Sequence, residues 1–185
     1  VAGQDSNTVG FTVTERVRVN PVIDTVDPDA GPIGEYLTLT GRNFGVIAGQ
    51  VFFRNTRTGE IGAASDPFPA ACVGNSWHDT SVTIKVPRAI GLAGGSPVTP
   101  DRYQIFIRRN GDGVESNRVN FTVNTNPPHP GLCAITPVAG PVGASVSLVG
   151  ERFGSRVDTV TFQGSTPAAR VRAGPIAPLS WTDGT

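Results

Sequence analysis

The chain has 185 residues, of which 38% are hydrophobic and 16% charged, and its 15 basic and 15 acidic side chains leave no net charge. A neutral chain whose only lysine is Lys85 has no basic stripe for nucleic acid. No apolar run is long enough to cross a bilayer, so we expect neither a nucleic-acid partner nor a membrane span in this segment.

Apolar and polar residues alternate with period two, which predicts short strands and no helix. Strands are expected near residues 22–26, 36–40, 50–54, 71–73, 81–86, 103–108 and 118–123. The sequence Asn110-Gly111-Asp112-Gly113 predicts a hairpin turn with positive φ between the last two strands. The 23 glycines and 16 prolines favour tight turns between strands. Seven strands in about 100 residues are typical of a two-sheet sandwich, so the predicted fold class is all-β.

The chain repeats itself with the period of a whole domain. SNTVGFTV from Ser6 returns as SNRVNFTV from Ser116, an offset of 110 residues. PDAGPIGEYLTLTGRNFG from Pro28 returns as PVAGPVGASVSLVGERFG from Pro137, an offset of 109. Further on, Trp-His-Asp at 77–79 returns as Trp-Thr-Asp at 181–183, which predicts a longer loop within residues 54–69 of the first copy. Such a period indicates tandem domains rather than a solenoid.

The phase of the repeat divides the chain into four parts. We expect residues 1–14 to be the last strand of a preceding module, 21–124 to form a complete module, 125–131 to be a Pro-rich linker, and 132–185 to be an incomplete module. Neither terminal piece could close a sandwich by itself. We therefore expect the natural protein to extend in both directions, or a neighbouring chain to supply the missing strands. The linker prolines favour a semi-rigid, extended spacer.

The ordered motifs resemble the IPT/TIG family. They are Pro-x-x-Gly-Pro-x-Gly at 28–34, Leu-x-Leu-x-Gly-x-x-Phe-Gly at 37–45, Val-x-Phe at 51–53, Trp-x-Asp at 77–79 and Ser-Asn-x-x-x-Phe-x-Val at 116–123. The resemblance implies tandem immunoglobulin-like (E-set) β-sandwich modules. The family occurs in cell-surface receptors, bacterial surface proteins, some secreted carbohydrate-active enzymes and Rel-type transcription factors.

Together, the resemblance, the repetition and the neutral surface predict a structural or adhesive spacer. The spacer would belong to a long extracellular repeat protein or surface filament, at the cell surface or outside the cell. Its partners would be neighbouring modules of the same chain or copies of itself. The alternative is a module that binds a surface glycan or a protein, as an accessory to a secreted carbohydrate-active enzyme. An exposed aromatic row on one sheet would favour that alternative.

Four aromatic residues are predicted to be structural anchors. Phe44 and Phe153 lie in tight loops and would plug one end of each sandwich. Trp77 and Trp181 precede a strand and would cover the core edge. A ligand platform is the alternative interpretation.

The sequence predicts no catalytic, cofactor-binding or metal-binding residue, and so no enzyme. His78 and Asp79 are adjacent and would point to opposite faces of a strand, and His129 lies among the linker prolines, where we expect it to be exposed. No nucleophile-elbow or EF-hand motif is present. Turn-forming aspartates leave calcium at a domain junction as an open alternative.

The two cysteines lie on either side of the linker. Cys72 belongs to the complete module and Cys133 opens the next one, and neither has a cysteine at its repeat counterpart. Either they form a disulfide across the junction, which would stiffen the array and imply an oxidising compartment, or they are unrelated thiols.

Overall fold

The computed structural model describes residues 3, 7–13, 19–72, 74–91, 95–164, 166, 170–173 and 181. In chain order the strands are β1 (Val22–Asp27), β2 (Ala30–Gly31), β3 (Tyr36–Arg42), β4 (Gln50–Asn55), β5 (Ile61–Ala63), β6 (Ser81–Lys85), β7 (Ala89–Ile90), β8 (Ser96–Pro97), β9 (Asp101–Arg108), β10 (Val119–Val123), β11 (Gly131–Thr136), β12 (Ser147–Glu151), β13 (Val160–Gln163) and β14 (Arg170–Ala173). A 3₁₀ helix spans Ala70–Cys72.

Eight of the first ten strands form a two-layer sandwich. One sheet has the order β1-β3-β6 with antiparallel neighbours, and the other has the order β2-β10-β9-β4-β5. In the larger sheet only β2 and β10 run parallel, whereas the other neighbours are antiparallel. Strands β7 and β8 form a small separate hairpin.

Every second side chain along these strands points inward, and these apolar side chains fill the space between the two sheets. Leu37 and Leu39 of β3 are buried, as are Ile105 and Ile107 of β9, while their sequence neighbours are more exposed or lie on the outer faces. The core cluster also contains the buried apolar side chains Ile23, Phe44, Val51, Phe53, Trp77, Val82, Ile84, Val86, Ile90, Val98, Tyr103, Phe121 and Val123. Burying each large apolar side chain contributes about 1.5–3 kcal/mol, so this cluster is the main source of the module's stability.

The predicted all-β fold class and six of the seven predicted strands are confirmed. The hairpin turn is confirmed as well, since Gly111 and Gly113 have φ of 90° and 68°. The strand predicted at 71–73 is wrong at Ala71 and Cys72, because the Cys72 amide donates to the Pro69 carbonyl at 2.9 Å and closes a 3₁₀ turn. Residue 73 lies outside the described residues.

The segment after residue 130 copies details of the complete module. Strand β11 pairs with β12 and carries a register shift between Leu132 and Ala134, at the repeat position of the shift between Ile23 and Thr25 in β1. Strand β13 pairs with β14. These paired strands are the described part of the predicted incomplete module.

Gly150 of β12 corresponds to Gly41 of β3, and the two sites are built alike. A Cβ added at either glycine would overlap a backbone carbonyl of the paired strand and lie 2.6 Å from the ring of Phe153 or Phe44, respectively. Both glycines are therefore required by the same close approach of backbone and aromatic ring.

Residues 7–13 form no strand in the structure, and Val9, Phe11 and Val13 are 82–89% exposed. The remaining residues of the stretch predicted as a preceding module, and most of the junction at 14–20, lie outside the described residues, as do Thr182 and Asp183. The division of the chain into modules therefore stays a prediction.

Candidate functional site at the module junction

A disulfide joins the two sides of the Pro-rich linker. The Sγ atoms of Cys72 and Cys133 are 2.08 Å apart, with their Cα atoms at 5.7 Å. Cys72 ends the 3₁₀ helix and is fully buried, and Cys133 sits at the register shift in β11. The helical turn at Ala70–Cys72 thus presents the sulfur of the complete module to the first strand that follows the linker.

An ion pair crosses the same junction. The ammonium of Lys85, at the end of β6, lies 2.9 Å from Oε2 of Glu151 in β12, and Arg152 lies 3.5 Å from the same oxygen. The Lys85 and Glu151 side chains are only 27% and 19% exposed. Burial raises the pKa of Glu151, but interactions with Lys85 and the Tyr36 hydroxyl and the charge of Arg152 outweigh it, so this pKa lies below its usual value. Glu151 is therefore a carboxylate at neutral pH.

Tyr36 lies at the centre of the junction. The Lys85 ammonium is 5.6 Å and the Arg152 guanidinium carbon 5.0 Å from its ring centroid, distances at which cations are attracted to an aromatic face. The backbone of Gly131 lies against the ring so closely that a Cβ there would overlap it. Burial raises the pKa of the Tyr36 hydroxyl, and the neighbouring Glu151 carboxylate raises it further. The hydroxyl is therefore neutral at physiological pH.

The linker itself is tied to the complete module. Oε2 of Glu35, a side chain only 2% exposed, accepts hydrogen bonds from the backbone amide of His129 at 3.0 Å and lies 3.1 Å from its Nδ1. The Arg152 guanidinium donates to the His129 carbonyl at 2.9 Å. The His129 side chain is 73% exposed, as its position among prolines predicts, yet its backbone satisfies a carboxylate that would be costly to bury alone.

Comparison of the two copies shows how the junction differs from an ordinary module end. In the complete module Asp24 and Arg42 form an exposed ion pair at 2.8 Å. The residues at the corresponding repeat positions are Cys133 and Glu151. Cys133 forms its disulfide, and Glu151 its ion pair, with the complete module instead. Sequence reasoning missed Glu151, although the change from GRNFG at 41–45 to GERFG at 150–154 was a visible signal.

The predicted anchor residues pack against the ends of their own copies. Phe44 is fully buried, and Trp77 donates from Nε1 to the Gly45 carbonyl at 2.9 Å. Trp181 donates to the Gly154 carbonyl at 3.0 Å in the same way, and its ring centroid lies 6.3 Å from that of the half-buried Phe153. Both indoles therefore close a glycine-containing loop in equivalent positions.

The two residues considered for catalysis have separate partners. Asp79 accepts a hydrogen bond from the Gly45 amide at 2.8 Å, while Nε2 of His78 lies 3.2 Å from the Asn75 carbonyl. Within the described ranges no group of three or more His, Cys, Asp or Glu side chains could hold a metal ion. In the part of the chain that the structure describes, no helix has the length and apolar character needed to cross a membrane.

Comparison with known proteins adds relatives of one enzyme class. This chain is 34% identical over 101 residues to a cyclomaltodextrin glucanotransferase of Thermoanaerobacterium thermosulfurigenes. The aligned region covers 55% of this chain and 11% of the relative. A cyclomaltodextrin glucanotransferase of Bacillus licheniformis is 31% identical over 114 residues, covering 61% of this chain and 12% of the relative. The chain thus matches only about a tenth of these relatives' length.

Among solved structures, the gamma-CGTase of alkalophilic Bacillus clarkii is similar with 26% identity and a TM-score of 0.40, over 56% of this chain and 12% of that one. The sequence model of the IPT/TIG domain matches residues 21–123, more than half of the chain. This match confirms the resemblance drawn from the ordered motifs, and it covers the two-sheet sandwich described above. The chain belongs to the IPT/TIG domain family.

Proposed function

We propose that this chain is a non-catalytic accessory segment of a secreted carbohydrate-active protein, in which it sets the position of one module relative to the next. The observation that carries the proposal is the junction, where a disulfide, an ion pair and a linker hydrogen bond all connect the complete module to the segment that follows. The likeness to parts of cyclomaltodextrin glucanotransferases supports the carbohydrate context.

Several attachment points restrict a joint more than one does. A single disulfide would leave the two sides free to rotate about its bonds. The junction adds Tyr36 between two cations and the Glu35 bond to the His129 backbone, so bending and twisting both break contacts. A disulfide of this kind persists in oxidising compartments, which supports an extracellular location. The proposal thus keeps the predicted spacer role and gives it a physical basis in this junction.

Measurement of ¹⁵N relaxation on the oxidised chain tests the rigid junction. We expect residues of the larger sheet and residues of β11 and β12 to report one common rotational correlation time. In the Cys72→Ser/Cys133→Ser/Glu151→Gln variant the two groups should separate, whereas Arg42→Gln, which alters the corresponding exposed ion pair, should change nothing. Separate correlation times in the oxidised wild-type chain would overturn the proposal.

The non-catalytic part of the proposal has its own test. The purified chain, incubated with starch, should release no reducing sugar and form no cyclodextrin above the level of a buffer control. Turnover that survives repeated purification and depends on this chain would contradict an accessory role.

A further inference from the structure

The outer face of the larger sheet is strongly basic, although the chain as a whole is neutral. Strand alternation, with Phe53 and Ile105 buried inside, turns four arginines of β4, β9 and the residue before β10 outward: Arg54, Arg102, Arg108 and Arg118. Glu115 forms ion pairs with two of these arginines, 2.8 Å from Arg108 and 3.9 Å from Arg118. We call these four arginines the arginine face.

Two of the arginines are held flat by aromatic rings. Phe52 and Phe106 stack with centroids 5.0 Å apart and an interplanar angle of 12°. The guanidinium carbon of Arg108 lies 4.4 Å from the Phe52 centroid, and that of Arg118 lies 4.8 Å from the Phe106 centroid. Stacking restricts the guanidinium planes. Arg108 uses one N–H edge to bond Glu115, and both arginine side chains remain more than 40% exposed, so their other N–H groups can meet a ligand.

The same contacts argue against a neutral-sugar platform. Phe106 is fully buried in the stack, so these aromatics do not form the open row that would accept a pyranose ring. What the face offers instead is planar hydrogen-bonding groups. Arg54, Gln104 and Asn120 are cross-strand neighbours in one row, and Arg54 donates to Gln104 at 3.1 Å.

We propose that the arginine face binds a carboxylate-bearing polysaccharide. A guanidinium donates two parallel hydrogen bonds to a carboxylate, and the amides of Gln104 and Asn120 can bond sugar hydroxyls. Arg102 and Arg108 lie six residues apart on one strand, roughly 20 Å, so an extended polymer with repeated carboxylates can meet several arginines at once. This inference goes beyond the proposed function, because it assigns a ligand rather than a structural role.

Native gel electrophoresis with polygalacturonate in the gel tests the inference. The wild-type chain should be retarded, and retardation should fall with added salt. The Arg54→Gln/Arg118→Gln variant should bind at least tenfold more weakly. The Arg42→Gln/Arg156→Gln variant loses the same charge from exposed positions elsewhere and should bind like wild type. Arg118→Lys keeps the charge but loses the planar fork, so we expect it to bind less tightly than wild type.

Three outcomes would overturn the inference: no retardation of the wild-type chain, equal retardation by amylose or by double-stranded DNA, or equal weakening in the control variant. The first two need no variant, so a folding defect cannot obscure them. The arginine variants should retain a single rotational correlation time, because they do not touch the junction. Failure of binding and failure of the rigid junction are therefore separate results.

Discussion

Removal of the disulfide should cost the chain a large part of its stability. Cys72 and Cys133 are 61 residues apart in sequence. For a closed loop of that length, the chain-entropy relation gives about 4 kcal/mol of stabilisation at 25 °C, since the cross-link restricts the unfolded chain. Domains are typically stable by about 5–15 kcal/mol, so the Cys72→Ser/Cys133→Ser variant should remain folded but unfold at markedly lower denaturant concentration.

Equilibrium urea unfolding, followed by tryptophan fluorescence, measures this effect. Trp77 is buried in the complete module and reports its unfolding. Unfolding of the wild-type chain in a reducing agent provides a second measurement, because reduction breaks the same disulfide without a serine substitution. Both should lose about 4 kcal/mol relative to the oxidised chain, within a factor of two. A loss below about 1 kcal/mol in both samples would refute the idea that the cross-link constrains the unfolded chain.

Three further predictions concern the junction and the core. Glu151→Gln should lower the free energy of unfolding by about 1 kcal/mol, because Lys85 and Arg152 lose their carboxylate partner; an unchanged urea midpoint would contradict this. The folded-state pKa of Glu151 is lowered, so ionisation of this carboxyl adds to the free energy of unfolding. That contribution is fully present above the ordinary carboxyl pKa of about 4.3 and is lost as the pH falls through the lower folded-state pKa. The difference in melting temperature between wild type and Glu151→Gln should therefore vanish in strong acid, and a difference that grows there would contradict the assignment. Phe44→Ala should cost about 3–5 kcal/mol in urea unfolding, whereas Val46→Ala, at a side chain 83% exposed, should stay within about 0.5 kcal/mol, and similar effects for both would contradict the anchor role.

The fold was predictable because strand periodicity and repeats are local properties of the sequence. Leu37 and Leu39 alternate with threonines, and 109 residues later Val146 and Leu148 alternate with serines, so two-sheet modules follow without knowledge of contacts. The shortest strands, β2, β5, β7 and β8, have two or three residues, which is too few for a period to show. The apolar run at 70–73 gave no basis for choosing between strand and helix. The hydrogen bond from the Cys72 amide to the Pro69 carbonyl makes this segment a helical turn.

The junction was less predictable, because its contacts join residues far apart in sequence. Lys85 and Glu151 are 66 residues apart, and nothing local to either residue indicates the other. Glu35 also looks like an ordinary exposed residue between a turn and a strand, yet it is buried against the linker backbone. What the sequence did contain was the departure of Cys133 and Glu151 from their repeat counterparts, which is a sign of a changed environment at otherwise matched positions.

Peptide mapping without reduction tests the covalent junction most directly. Trypsin cleaves after Arg57, Lys85, Arg118 and Arg152, so Cys72 falls in peptide 58–85 and Cys133 in peptide 119–152. Mass spectrometry of the native chain, alkylated before digestion, should find these two peptides linked, and reduction should separate them. Recovery of both peptides unlinked, each with an alkylated thiol, would contradict the account of the junction.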